Sequence, residues 1–244
     1  MQISMIERIL DFVVFSVFPQ KCARCDNYVE RMELGKCCSE CWSATRTFGH
    51  GETICSKCGK ILASFGSKQY ANCGECQDFP FDAARAAMFY ENAAVATVVA
   101  MKDEPHLPSL ARLHLVEGFQ RSGLALPELI VPVPLSKKRR LDRGFNQAEI
   151  LANALAESIA TRCDTRSLCR IRHSPLHRAG MDRKAREATV KDAFRVVRPK
   201  LVAGRNLLIV DDVLTTGSSA AYCAAVLKKS GAARVDVFTF ARAI

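Results

Sequence analysis

Two adjacent carboxylates, Asp211 and Asp212, stand between the apolar run Leu207-Leu208-Ile209-Val210 and the small-residue turn Thr215-Thr216-Gly217-Ser218-Ser219. The apolar run reads as a fully buried strand and the turn as the entry to a helix. In an open α/β sheet, ligands bind beyond the carboxyl ends of the strands. A turn over Leu214 to Ser218 would aim backbone N–H groups and hydroxyls at an anion over the next helix N-terminus. Carboxylates repel such an anion, but they suit the vicinal hydroxyls of a sugar, or Mg²⁺ beside them. The residue types therefore outline a ribose 5-phosphate pocket. A buried strand that merely ended in an Asp pair would leave the Thr-Thr-Gly-Ser-Ser turn unexplained.

The thirteen residues 207–219 resemble the phosphoribosyl pyrophosphate (PRPP) loop of type I phosphoribosyltransferases, which usually carries Thr where Ser219 stands. The resemblance implies PRPP contacts from Asp211, Asp212, Val213, Leu214, Thr215, Thr216, Gly217, Ser218 and Ser219. It also implies a catalytic part for the two carboxylates, with magnesium accompanying PRPP.

A second chemistry lies in the first third of the chain. Eight of the twelve cysteines form four C-x₂-C pairs: Cys22/Cys25, Cys38/Cys41, Cys55/Cys58 and Cys73/Cys76. In a reducing compartment this spacing means zinc rather than disulfides. Two Cys three positions apart on a tight knuckle place both thiolates on one tetrahedral ion. Taken in sequence the pairs make two Cys₄ sites, a double zinc ribbon with two structural zinc ions. Interleaved pairing of the knuckles fits the spacing as well, and Cys37 offers a C-x₃-C register beside Cys38. Residues 20–78 carry no evident apolar core, so the metals are expected to hold them.

Length and composition frame these two regions. The chain has 244 residues, 49% of them apolar, with a mean hydropathy of +0.02, as expected of a soluble globular protein. Its net charge of +10 is one-sided. Residues 1–80 carry nine Lys/Arg and nine Asp/Glu, whereas 81–244 carry 26 against 16. A basic excess there suits polyanions. The apolar stretch Ile9 to Phe18 lacks a signal-peptide pattern and is too short to span a bilayer, so no stable membrane insertion and a cytoplasmic location are expected.

The elements that must position the site alternate between strand and helix. Strands are expected at Ala86–Tyr90, Glu128–Pro132, Arg166–Ile171, Asn206–Val210 and Val235–Phe240. Helices are expected at Ala93–Met101, Pro108–Ser122, Ala148–Thr161 and Ser218–Lys229. That alternation gives an α/β fold with a parallel sheet over residues 81–244, preceded by the ribbon region 1–80. Between a strand end and a helix start lies a basic run of five cations in seven positions: Lys137, Lys138, Arg139, Arg140 and Arg143. Arg143 is assigned to the anion pocket, and the Lys137–Arg140 run to a nucleic-acid surface. His173 to Thr189 reads as a long basic loop, with Arg178, Arg183, Lys184 and Arg186 as candidates for a flexible lid.

With the ribbons, the segment Val131-Pro132-Val133-Pro134-Leu135, the motif Arg143-Gly144-Phe145-Asn146-Gln147 and the Asp211–Ser219 loop, the chain resembles the ComF family. Two positions depart from that family's pattern: His177 stands where Gln is common, and Thr189 where Asn is. The resemblance implies a double zinc ribbon on a type I phosphoribosyltransferase-like fold. It further implies PRPP binding, a role in DNA uptake and natural transformation, single-stranded DNA as a partner, and a helicase partner. The alternative is an active phosphoribosyltransferase of nucleotide metabolism, although the ribbons occupy the place of a base-binding hood without an evident base pocket. A transcriptional regulator ranks last, because no helix-turn-helix signal is present. Aromatic content is only 7%, too low for a broad base-stacking platform.

Overall fold

A computed structural model describes residues 11, 13–49, 52–62, 70, 71, 73–171 and 193–243. The amino-terminal region holds a short helix α1 (Ser39–Ser43) and a small parallel pair, β1 (Ile54–Cys55) with β2 (Tyr70–Ala71). There follow β3 (Ala83–Phe89), α2 (Asn92–Ala100), α3 (Ser109–Arg121), β4 (Leu129–Pro132), α4 (Lys137–Arg143) and α5 (Gln147–Ser158). The chain continues through β5 (Arg162–Cys163), β6 (Leu168–Arg170), β7 (Phe194–Val196), β8 (Asn206–Leu214), α6 (Ser218–Lys229) and β9 (Arg234–Arg242). Five strands pair in parallel in the order β3-β9-β8-β4-β5, while β6 and β7 form a separate antiparallel pair.

Period-two alternation sorts the sheet side chains onto two cores. Ile130, Leu208, Val210, Phe238 and Phe240 pack on one face with residues of α2, α3 and α5. Leu129, Val131, Leu207, Ile209, Val235 and Val237 pack on the other with Cys223, Ala224 and Leu227 of α6. All of these sheet residues are at most 4% exposed, which explains their continuous apolar runs. Helix α3 approaches β3 closely because Gly118 allows it: a Cβ there would lie 2.6 Å from the Ala87 backbone.

Several boundaries differ from the sequence expectation. Residues 137–143 form a helix rather than a loop, because Ser136 caps its start and Gly144 ends it with φ 80°. Strand β8 runs four residues beyond Val210 to Leu214, carried by pairing with β9 through Leu214↔Arg242. Its other neighbour, β4, ends at Pro132 opposite Val210, so the last four residues have a partner on one side only. The short strands β5 and β7 gave no periodic signal. Among the described residues, no helix is long and apolar enough to cross a membrane.

Candidate functional site

The eight C-x₂-C cysteines gather into two clusters, Cys22/Cys25/Cys38/Cys41 and Cys55/Cys58/Cys73/Cys76, each with its sulfurs within 4.8 Å of one another. Sulfur separations of 3.7 Å for Cys22–Cys41, 3.5 Å for Cys25–Cys38 and 3.6 Å for Cys58–Cys73 recur across them. A tetrahedron with arms of about 2.3 Å has edges near 3.8 Å, so the donor sets fit Zn²⁺. Pairing is sequential, and Cys38 rather than Cys37 joins the first cluster; Cys37 is buried beside it. These are structural zinc sites.

The ribbons are not separate from the body. Cys22, Val29, Leu34, Cys38 and Trp42 share one core with α2 and α3, whereas Cys55, Cys58 and Cys76 share the other with α6. Trp42 stacks on His114 of α3 at 5.4 Å and donates its indole N–H to the Leu34 carbonyl at 2.9 Å. Arg46 bridges Glu91 at 2.8 Å. The second ribbon is tied by main-chain bonds: the Lys57 carbonyl accepts from the Ala84 amide at 2.6 Å, and the Cys58 carbonyl from Arg242 at 2.6 Å.

At the carboxyl end of β8 the carboxylates fold back on their own backbone. Asp211 Oδ1 accepts from the Asp212 amide at 3.0 Å, and Asp212 Oδ1 from the Val213 amide at 2.7 Å. Burial, and then the Asp212 charge, push the Asp211 carboxyl well above the ordinary carboxylate range. Burial raises Asp212 as well, against the Val213 amide and the nearby Lys102 and Arg143 charges. The turn after the strand is preformed. Gly217 sits at φ 79°, Thr216 and Ser218 share a hydroxyl hydrogen bond of 3.0 Å, and α6 begins at Ser218. The first-turn amides of α6 have no intrahelical acceptor and face the turn. Thr215, Thr216, Gly217, Ser218 and Ser219 with Asp211 line a cavity of about 200 Å³. Leu214 is buried in one core and Val213 packs on the other, so these two offer main chain to the site.

The cations divide differently from the sequence assignment. The Arg143 charge acts on Asp212, and its guanidinium donates to Gln147 Oε1 at 2.7 Å. Arg139, assigned to the surface, is instead half-buried and close to Arg143 and Arg170, and burial lowers its pKa. Arg140 is exposed and pairs with Glu149, and Lys137 and Lys138 are exposed beside it. The charges of Lys102 and Arg170 act on Asp212 and Asp211 respectively, and the Asp212 charge acts on Tyr90. Neither motif nor spacing marks Lys102, Tyr90 or Arg170; only the fold brings the ends of α2, β3 and β6 beside β8. Arg178, Arg183, Lys184 and Arg186 fall outside the described residues. The chain enters and leaves that segment side by side, where the Ile171 amide donates to the Ala193 carbonyl at 2.8 Å.

A larger cavity of about 380 Å³ opens between the second ribbon and the turn. Its wall includes Phe48, Phe79, Phe81, Phe89, Arg242 and the turn residues Thr215 to Gly217. Phe79 reaches from the ribbon region onto the turn, since a Cβ on Gly217 would lie 3.1 Å from its ring. An aromatic cavity thus exists where the sequence showed no base pocket.

A parallel α/β domain with an acidic, turn-capped strand end, fronted by two Cys₄ zinc sites, defines an α/β protein with a double zinc ribbon. The double zinc ribbon domain family matches residues 13–77. The DNA utilization protein YhgH of Escherichia coli is 32% identical over 215 residues, covering 85% of this chain and 90% of that protein. Competence protein F of Haemophilus influenzae is 27% identical over 239 residues, covering 94% and 100%. The glutamine PRPP amidotransferase of B. subtilis, solved with ADP and GMP, overlaps 54% of this chain and 27% of that one. That overlap has 17% identity and a TM-score of 0.36, too slight to carry weight. The chain belongs to the ComF family, together with YhgH and competence protein F.

Proposed function

We propose that this protein binds PRPP at the carboxyl end of β8 and acts in DNA uptake, handling single-stranded DNA in the cytoplasm. The observation that carries the reading is the turn Thr215–Ser219, preformed over the α6 N-terminus one step beyond a raised-pKa carboxylate pair. The turn amides and the hydroxyls of Thr216 and Ser218 suit the 5-phosphate. Asp211 and Asp212 suit the ribose hydroxyls, which donate to them and relieve their mutual repulsion. Lys102, Arg139, Arg143 and Arg170 supply positive charge for the pyrophosphate, and magnesium would enter as its counter-ion. The names of the relatives, a DNA utilization protein and a competence protein, support the cellular role.

The aromatic cavity favours a second reading, phosphoribosyl transfer to an acceptor. In that reaction the bond from C1 of the ribose to pyrophosphate oxygen breaks, and pyrophosphate leaves with the electron pair. A nitrogen lone pair on the acceptor forms the new bond and then loses its proton. Charge-stabilising cations at the leaving group would supply most of the rate.

Titrating the full chain with PRPP and Mg²⁺ by calorimetry tests the first reading. Saturable binding is expected, lost in Asp211→Asn/Asp212→Asn and weakened in Gly217→Val. Unchanged affinity in the double variant would remove the sugar-binding role. Pyrophosphate release on adding free bases or single-stranded DNA would establish the second.

A further inference from the structure

We propose a second anion site at the opposite end of the sheet, an arginine-lined cleft that holds the phosphodiester backbone of a nucleic-acid strand. The cleft, about 260 Å³, is lined by Arg162, Arg166, Arg198 and Arg205 with Asp164 and Leu129. The four guanidiniums come from three separate segments: the β5 strand with the turn after it, the Val197–Leu201 region, and the residue preceding β8. Sequence spacing gave no hint of their meeting. Six residues of extended strand separate Arg205 from Asp211, a distance of about 20 Å. The cleft is therefore a different place from the carboxylate pair.

Charge bookkeeping points to an external anion. Among the described residues none of the four arginines makes an ion pair, and Arg162, Arg166 and Arg198 are exposed. One carboxylate, Asp164, shares the cleft and feels the Arg198 charge, so four guanidiniums face a single acid there; both nearby carboxylates are also held by hydrogen bonds. Asp164 accepts from the Arg166 amide at 2.8 Å and the Ser167 amide at 3.1 Å. Glu128 accepts from the Asn206 amide at 2.9 Å. Elsewhere on this surface cations do have acidic partners, as in Arg112–Glu157, Arg234–Asp236 and Lys228–Asp82. Four like charges facing one cleft repel each other, and an arriving anion removes that cost.

The form of the cleft favours a strand over a small ion. Exposed Lys200 adjoins Leu201 of the lining in the chain, and exposed Arg195 lies three residues before Arg198. Guanidinium forks match phosphate oxygens in pairs, and a track of them follows a backbone without reading its bases. Aromatic rings are absent from the lining, so stacking contributes nothing there. The binding expected is electrostatic and indifferent to sequence. It would add to the Lys137–Arg140 run, in which Arg139 is half-buried and Arg140 is paired with Glu149.

The test uses the full chain and a fluorescein-labelled 20-nucleotide single strand, followed by anisotropy across salt. Arg162→Glu/Arg198→Glu/Arg205→Glu should weaken binding at least tenfold at low salt. It should also flatten the log–log salt slope by roughly 2, at about 0.7 per phosphate contact. PRPP affinity should stay as in the native protein, and Asp211→Asn/Asp212→Asn should leave strand affinity alone. If the triple variant does not fold, Arg198→Gln alone should still lower the slope by roughly 0.7. Native strand affinity and slope in the charge-reversed variants would overturn the site. So would calorimetric binding of inorganic phosphate in the cleft with no strand binding. A native chain that binds the strand but not PRPP would count against the PRPP reading instead.

Discussion

The two zinc ribbons share a motif and nearly a spacing, yet they are built into the molecule in different ways. The first sinks side chains into the body: Leu34, Trp42 and three of its cysteines are nearly inaccessible, and Trp42 lies flat on His114. The second buries Cys55, Cys58 and Cys76 in the other core, is tied by the main-chain carbonyls of Lys57 and Cys58, and faces the Thr215–Ser219 turn across an aromatic cavity. A metal-held knuckle needs no core of its own, so its outer surface is free to serve its neighbour. In the first ribbon that surface completes a core; in the second it joins a core and also walls a cavity.

The largest effect expected from this contrast comes from breaking the clusters one at a time. Cys38→Ser/Cys41→Ser should abolish cooperative folding of the whole chain, because its loss uncovers the α2–α3 core. Cys73→Ser/Cys76→Ser should keep most far-UV ellipticity while disturbing ligand binding at the turn. Metal analysis of the native protein should give two zinc ions per chain, with the second released first on chelation. Equal collapse in both variants would erase the distinction drawn here.

Next in size is Trp42→Ala, which removes a buried aromatic from the shared core. A loss of about 3–5 kcal/mol is expected from denaturant unfolding, with PRPP affinity unchanged in the folded fraction. A change below about 1 kcal/mol would mean that the ribbon merely rests on α3.

The smallest effect has the opposite sign. Burial and like charge raise the Asp211 and Asp212 carboxyls. In the unfolded chain they ionise at their ordinary value, and in the folded chain later. Stability is therefore undiminished below the ordinary value and falls as pH rises through the interval between the two. Asp211→Asn/Asp212→Asn should raise Tm by a few degrees, on the order of 1 kcal/mol. The gap between variant and native protein should widen from pH 4 towards neutrality. A gap that is constant with pH would contradict the raised values.

The legible part of this fold was its periodic part. Leu207–Val210, the α6 span Ser218–Lys229 and the C-x₂-C pairs each carry a strong local rule, and each sits where that rule puts it. Asp211 and Asp212 stand beyond that apolar run, on the strand it begins, for the same reason. The basic segment 137–143 carries no apolar periodicity, and its helix is defined instead by its caps, Ser136 and Gly144. Strand β8 outran its apolar run because β9 pairs with it to Leu214, a non-local reason that no local pattern holds. Lys102 and Arg170 reach the carboxylates only through topology. The sharing of both cores by the ribbons was equally hidden, since Trp42 and Leu34 look isolated until α3 lies beneath them.

The one-sided end of β8 has a spectroscopic consequence. The amides of Asp212 and Val213 donate to the carboxylates of Asp211 and Asp212, each bond closing on the residue before it. Those two N–H groups are thus wired to the charges a sugar would engage. Their proton shifts should move with carboxylate ionisation and again when hydroxyls draw the oxygens outward. Two backbone resonances would then record occupancy of the strand end directly, with no label and no turnover needed.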